Sequence, residues 1–398
     1  MSGFSEWLAD VKDVHAPEAL AVGLPTKRVE SWKYVPTRGL ARTTWQPASP
    51  KTTEQFAVTG GQFVNVPAID GLTVSDDALT DSEKKRLDDI SQAHGFGLTQ
   101  AALQNSQLVL TVRKTTSVVL NLHHLANQAS AAGFATLIIR VEAGAQLSLV
   151  EQFESTDADT ANLSSLRCLM TLARDASVTH VRFQAANTAA HVFSNLDVEC
   201  GENASYRLQT IEFGSKLARN DIYIALAGRE ASASVNGLAI TNGSQYHDTH
   251  LAIDHVVGET NSEMTFRNMV DGKGEATFNG RVLIRKDSQR SATEQSIANL
   301  LLSESARVNP KPELEIYADD VTASHGCTVG SLNKTELFYL KSRGLSEADA
   351  RAFLQYAFAE KIVEEIEHPD IRELVETQLL GELKHGELIA ELKESVDV

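Results

Sequence analysis

A small-residue corner that keeps returning is what limits this chain most. The corners are Gly144-Ala145, Asp175-Ala176, Asn203-Ala204 and Glu230-Ala231, and their alanines stand 31, 28 and 27 residues apart. A further corner, Glu275-Ala276, follows after a wider gap that reads as an inserted or enlarged rung. Between the corners lie β-rich runs such as QLVLTV, SVVLNL, ATLIIRVEAG, LRCLMTLA, YRLQTIEFG and ELEIYA, expected to be strands of about five residues. A period in the high twenties with a Gly, Asn or Asp corner marks a β-solenoid, whose rungs stack their strands into long sheets. A sandwich would give turn signals every 8 to 12 residues or so without the longer period. The chain therefore divides into a mainly helical region over residues 1–105, a β-solenoid over 106–333 and a helical region over 334–398.

The two flanks carry helical signals. Phe4, Trp7, Leu8 and Val11 recur at helical spacing, and Pro17 ends or redirects that helix. Thr80 with Glu83, and Ser346 with Asp349, make capping-box patterns. From Pro369, Ile371, Leu374, Val375, Leu379 and Leu383 form a stripe that must dock on the solenoid or on a partner, leaving a self-contained solenoid if the tail is removed. The segment from Gly23 to Leu40, GLPTKRVESWKYVPTRGL, reads as structural, with Trp32 and Tyr34 packed and Lys27, Arg28 and Lys33 in water.

Composition narrows the class. The 398 residues hold 36 Lys and Arg against 53 Asp and Glu, a net charge of -17 that repels nucleic acid. Cys168, Cys200 and Cys327 are too few for a disulfide framework and fit the cytoplasm. No apolar h-region or long apolar run is present, so neither secretion nor a membrane is expected.

The most chemically capable stretch is Glu313 to Gly330, ELEIYADDVTASHGCTVG, where His325 and Cys327 follow a period-two strand pattern. Both can ligate soft or borderline metals, although one such pair lacks the repeated spacing of a structural zinc site. If the segment stays extended, the two side chains share a face. His247, His250 and His255 cluster in QYHDTHLAIDH, but no regular element aims all three at one ion, which leaves a polar rung facing another subunit. His123 and His124 are expected to point apart. DGKGEATFNG, from Asp271, lacks the Gly-Lys-Ser/Thr ending of a phosphate loop and reads as a tight β corner. Hydrolase, zincin and dithiol motifs find no match.

ADDVTASHGCTVG followed by LFYLKSRGLSEADA closely resembles the signature of the SufB/SufD family of SUF iron-sulfur cluster assembly subunits. The family usually has alanine where Cys327 stands, and often a cysteine where Ala323 stands. Phe338, Tyr339 and Leu340 replace the Phe-Tyr-Cys run of SufB and place the chain on the SufD side. The Gly23 to Leu40 segment and FNGRVLIRKDSQRSATEQSIANLLLSE carry the likeness further. The resemblance implies a right-handed parallel β-helix that pairs with a SufB-like subunit through its core and binds a SufC-like ATPase through its C-terminal helices. It also implies a non-enzymatic scaffold, with an iron-sulfur cluster held in transit and shared with SufB, and no cofactor tightly bound to the isolated chain. His325 would then be the metal-ligating or cluster-forming residue at the interface, and Cys327 an extra ligand. Whether the isolated chain pairs with itself is left open. The rival reading is a β-helix carbohydrate-active enzyme, a polysaccharide lyase or hydrolase, disfavoured by the acidity, the 6% aromatic share and the missing secretion signal.

Overall fold

Six corner residues set the pitch of the molecule. In the computed structural model, which describes residues 3–75, 78–93, 95–113, 118–126, 128–155 and 160–396, Gly144, Asp175, Asn203, Glu230, Glu259 and Arg290 all adopt left-handed backbone with φ between 54 and 67°. Only the first is a glycine, and the others are held there by a bond each makes to the next turn. The amides of Asp175, Asn203, Glu230 and Glu259 donate to the carbonyls of Glu202, Arg229, Glu259 and Gln289 at 2.8 to 3.0 Å. That repeated bond offsets the roughly 1 kcal/mol that a left-handed non-glycine residue costs.

The result is a parallel β-solenoid of about seven turns, flanked by helices at both termini. Sheet A runs through Ser106–Val112, Ala131–Val141, Leu163–Leu172, His191–Cys200, Leu217–Leu226, Tyr246–His255, Glu275–Ile284 and Arg307–Ile316. Sheet B runs through Val118–Ala126, Gln146–Ser155, Ser177–Gln184, Ser205–Glu212, Ser232–Thr241, Asn261–Val270, Ser291–Leu301 and Val321–Gly330. In sheet B the stacked positions Gln146, Ser177, Ser205, Ser232, Asn261, Ala292 and Thr322 are 31, 28, 27, 29, 31 and 30 residues apart.

Two expectations are corrected by this register. No rung is enlarged between Ala231 and Ala276, because Glu275-Ala276 opens a strand of sheet A and the missing sheet B corner is Glu259-Thr260. The buried alanine column Ala145, Ala176, Ala204 and Ala231 continues as Thr260 and Ser291, whose hydroxyls hydrogen-bond each other at 2.9 Å, so the column persists while its sequence sign vanishes. The strands also exceed five residues and mostly run to ten. Buried polar residues such as Arg167, Asn195 and Asp248 interrupt their apolar runs, and the apolar pattern marks only part of each strand.

Helices cover both outer faces. Helices α1 (Ser5–Asp10), α2 (Ala16–Val22), α3 (Arg38–Arg42), α4 (Asp81–Gln92) and α5 (Gly95–Ala102), with the segments that join them, pack Phe4, Trp32, Trp45 and Phe96 onto Phe134, Phe193 and Tyr246 of sheet A. Pro17 stands in the first turn of α2 and starts that helix, α1 having already ended at Asp10. This region is less helical than its sequence suggests. Short strands at Gln46–Pro47, Ala57–Thr59, Gln62–Val64 and Leu72–Val74 extend both sheets and are too short to show alternation.

Helices α6 (Lys334–Ser342), α7 (Glu347–Val363), α8 (Pro369–Glu382) and α9 (Gly386–Val396) follow the solenoid. Ala359, Ile362, Val375 and Leu379 share one core with Val181, Ile211, Leu238, Ile240 and Met269 on the outer face of sheet B. Leu374 stays 39% exposed while the rest of its stripe is buried. Removing the tail would bare that sheet face, so the expectation of a self-contained solenoid without it has lost its ground.

The bore is apolar along one side and polar at one corner. Glu151 accepts hydrogen bonds from His124 Nε2 at 3.1 Å, His180 Nε2 at 2.9 Å and Arg182 Nε at 2.9 Å, and Tyr206 bonds His180 Nδ1 at 2.9 Å. Burial alone would raise the Glu151 carboxyl, but Arg182 and the two imidazoles outweigh it and hold it well below the usual range. Burial lowers both imidazoles, which serve here as neutral donors. Replacing Glu151 by leucine would strand the Arg182 guanidinium in the bore, at an expected cost of about 3–5 kcal/mol in urea unfolding. The double variant Glu151→Leu, Arg182→Leu should recover most of that loss, and equal losses in the single and double variants would refute the pairing.

Candidate functional site at the open end of the solenoid

The last strand of each sheet has no neighbour on its outer side among the described residues. In sheet A the free edge is blunted. The amides of Arg307 and Tyr317 donate back to Gly274 and Ile284 at 3.1 and 2.9 Å, so odd positions face the preceding turn and Pro310 and Pro312 fall on the free side, where they remove two donors. Sheet B ends differently. The amides of Ala292 and Leu302 bond the preceding turn through Thr260 and Val270, which leaves the odd positions of Ser291–Leu301 for the last strand. With Ser291 opposite Val321, the amides of Ala323, His325, Cys327 and Val329 face open solvent, and no proline interrupts them.

His325 and Cys327 lie on this strand at positions opposite Gln295 and Ile297. They continue the inward face begun by Val321 and Ala323, which pack against the main core, but no further turn covers them and both are exposed. The shared face expected from alternation is what the strand provides. Asn299 Nδ2 lies 3.9 Å from the Cys327 sulfur, and partial burial raises that thiol, so it is not a ready thiolate in the chain by itself. Ile316, Tyr317, Val329, Phe338 and Tyr339 are exposed along this end, Phe338 by 73%.

The other histidines go elsewhere. His247 and His255 point into the bore, where His247 bonds the Gly214 carbonyl at 2.7 Å and His255 bonds Thr260 and Ser262 at 2.7 and 2.9 Å. Only His250 lies on the outer face, 3.0 Å from Asp248. The reading of this cluster as a polar rung facing a partner is corrected for His247 and His255, which are satisfied core residues. His123 and His124 do diverge, His124 inward to Glu151 and His123 toward Glu154. Asp271 and Gly272 form the tight corner expected of them. Among the described residues no group of three or more His, Cys, Asp or Glu could hold a metal ion.

The Gly23 to Leu40 segment is structural in part. Trp32 is fully buried, and the Arg219 guanidinium stacks 4.3 Å from its ring while donating to the Ser31 carbonyl at 2.6 Å. Tyr34 is instead 43% exposed. The polar corner of the bore was missed by sequence reasoning. Inward polar residues and outward ones look alike in a period-two pattern, and only the even spacing of Glu151, His180 and Arg182 with core positions of their own strands could have revealed it.

No helix among the described residues is long and apolar enough to cross a membrane. The chain is 28% identical over 391 residues to the iron-sulfur cluster assembly protein SufD of Escherichia coli, covering 94% of this chain and 92% of that one. It is 33% identical over 239 residues to a SufBD family iron-sulfur cluster assembly protein of Synechocystis, covering 58% of this chain and 52% of the relative. It is 26% identical over 247 residues to the chloroplastic protein ABCI7 of Arabidopsis thaliana, covering 62% and 52%. The family described as SUF system FeS cluster assembly, SufBD core domain, matches residues 124–358, more than half of the chain and nearly all of the solenoid. On that match, the chain belongs to the SufBD family of iron-sulfur cluster assembly proteins.

Proposed function

We propose that this chain is a SufD-like scaffold subunit that pairs with a SufB-like subunit through the open end of its solenoid. The observation that carries the reading is the placing of His325 and Cys327 on an exposed, proline-free edge strand, beside apolar residues that a partner would cover. An edge of this kind is completed by adding a strand from another chain, and its two side chains then enter a shared, water-poor site. An iron-sulfur cluster would be cargo assembled there, with further ligands supplied by the partner. A SufC-like ATPase would dock on the C-terminal helices, where Phe338 and Tyr339 stand out of α6. In this reading the chain acts in the cytoplasm and turns over neither ATP nor sugar by itself. Membership in an assembly family favours the scaffold over the carbohydrate-cleaving rival.

The edge can be blocked without disturbing the fold. Val329 is half exposed and its amide faces the free side, so Val329→Pro removes one outward donor and no ladder bond. Co-expressed with its SufB-like partner and analysed by size-exclusion chromatography with light scattering, the variant should keep its own fold and lose most of the pairing. Undiminished pairing would show that the partner docks elsewhere, and the functional reading of this end would fall with it.

A further inference from the structure

Where α4 and α5 lie against sheet A, they line an open pocket of about 420 Å³ far along the chain from the open end. Its size falls in the range of small-molecule sites, roughly 300–1,000 Å³. Arg167 lies on its floor and is 5% exposed. One Nη1 hydrogen goes to Ser91 Oγ at 3.0 Å, and Nη2 bonds Thr136 Oγ1 at 3.0 Å and Gln104 Oε1. All three acceptors are neutral, and Nε and the second Nη1 hydrogen have no acceptor among the described residues.

This arrangement is exceptional within the molecule. Three described arginines are more than nine-tenths buried. Arg182 pairs with Glu151 at 2.9 Å, and Arg219 pairs with Asp221 and Asp248 at 2.6 and 2.5 Å. The larger groove on the outer face of sheet A, about 720 Å³, also has its arginines matched to carboxylates. Arg167 alone has none, since Asp13, whose field it feels, lies beyond ion-pair distance. A buried cation without its anion costs several kcal/mol, and the planar fork of a guanidinium suits a carboxylate best.

The rest of the cavity restricts what the anion can be. Asp13 and Asp88 line it with His15, which bonds Asp13 at 3.0 Å and lies 3.9 Å from Asp88. Lys84 is held by Asp81 at 3.3 Å. Two carboxylates repel a dianion such as phosphate and attract an ammonium group, and Leu79, Leu87 and Ala101 add apolar wall. We propose that this cavity binds a small zwitterion of the α-amino acid class, its carboxylate on Arg167 and its ammonium toward Asp13 and Asp88.

Isothermal titration of the full chain with L-alanine, L-serine and L-cysteine, and separately with propionate, alaninamide and inorganic phosphate, tests this. At least one amino acid should bind, propionate more weakly, and alaninamide and phosphate not measurably. Asp88→Asn changes an exposed rim residue that the fold does not need, and should weaken the amino acid about tenfold while leaving propionate unchanged. Arg167→Gln should abolish both, and the Asp88 variant decides the matter if that protein does not fold. The proposal is overturned if no amino acid binds, if phosphate binds more tightly than the amino acids, or if Asp88→Asn leaves amino acid affinity unchanged.

Discussion

Acidification from pH 6.5 to 4 should strip the protein of most of its stability. Burial lowers His191, His247 and His255 from 6.5 to about 4 each, with Lys216 adding to the effect at His191. The unfolded chain takes up these protons near 6.5 and the folded chain only near 4, so the stabilisation is complete above 6.5 and lost as pH falls through the window. Each group contributes roughly 3 kcal/mol, and the three together are on the order of 10 kcal/mol, comparable to the whole stability of a typical domain. His124 and His180 are lowered by burial and act in the same direction.

Glu212 opposes them. Burial raises its carboxyl to about 7, moderated by Arg182, Gln184 and Asn220. Here the folded state keeps a proton that the unfolded chain releases near 4.5, so a contribution of roughly 3 kcal/mol is complete below 4.5 and lost as pH rises to 7. The histidines outweigh it, and the net curve falls toward acid. Glu212→Gln removes the opposing contribution, and that variant should be more stable than the parent at about pH 8 and lose stability more steeply on acidification. Urea unfolding across this range checks both statements, and a midpoint that stays constant between pH 6.5 and 4 would refute the burial argument.

How much of this could be read from the chain depended on whether a position had a distinctive residue type. The solenoid was legible because four corners use Gly, Asp, Asn and Glu before alanine, where left-handed backbone and a tight interior select small residues. The reading of an inserted or enlarged rung failed at Thr260 and Ser291, because a hydroxyl pair fills the same space as two alanines and keeps its hydrogen bond inside the column. The edge strand was legible as a strand, and so was the common face of His325 and Cys327. What the sequence could not show is that this last strand stays uncovered, because the helices that follow it pack on the outer face of sheet B and not over its edge. The Arg167 cavity was also invisible, since an arginine among serines and leucines reads as surface until α4 and α5 close over it.

Replacing His325 by alanine should leave the fold and the complex intact while cluster assembly falls at least about tenfold, the scale of loss seen when a metal site is deprived of an essential ligand or its support. The side chain is exposed and has no hydrogen-bond partner among the described residues, so its removal creates no cavity and strands no buried group. Any effect must therefore come from what His325 meets across the interface. A neutral imidazole there can ligate iron, or pass a proton to and from a thiolate of the partner, and both roles need the second chain. Cys327 shares the face but has a raised thiol pKa and the Asn299 amide beside it, so Cys327→Ala should assemble clusters as the parent does. The measurement is iron and acid-labile sulfide per mole of complex, with the subunits co-expressed and the complex confirmed by light scattering. Normal cluster content in the His325 variant would make this residue an uncapped strand position and nothing more, while a loss in the Cys327 variant as large as in the His325 variant would move the site onto the pair.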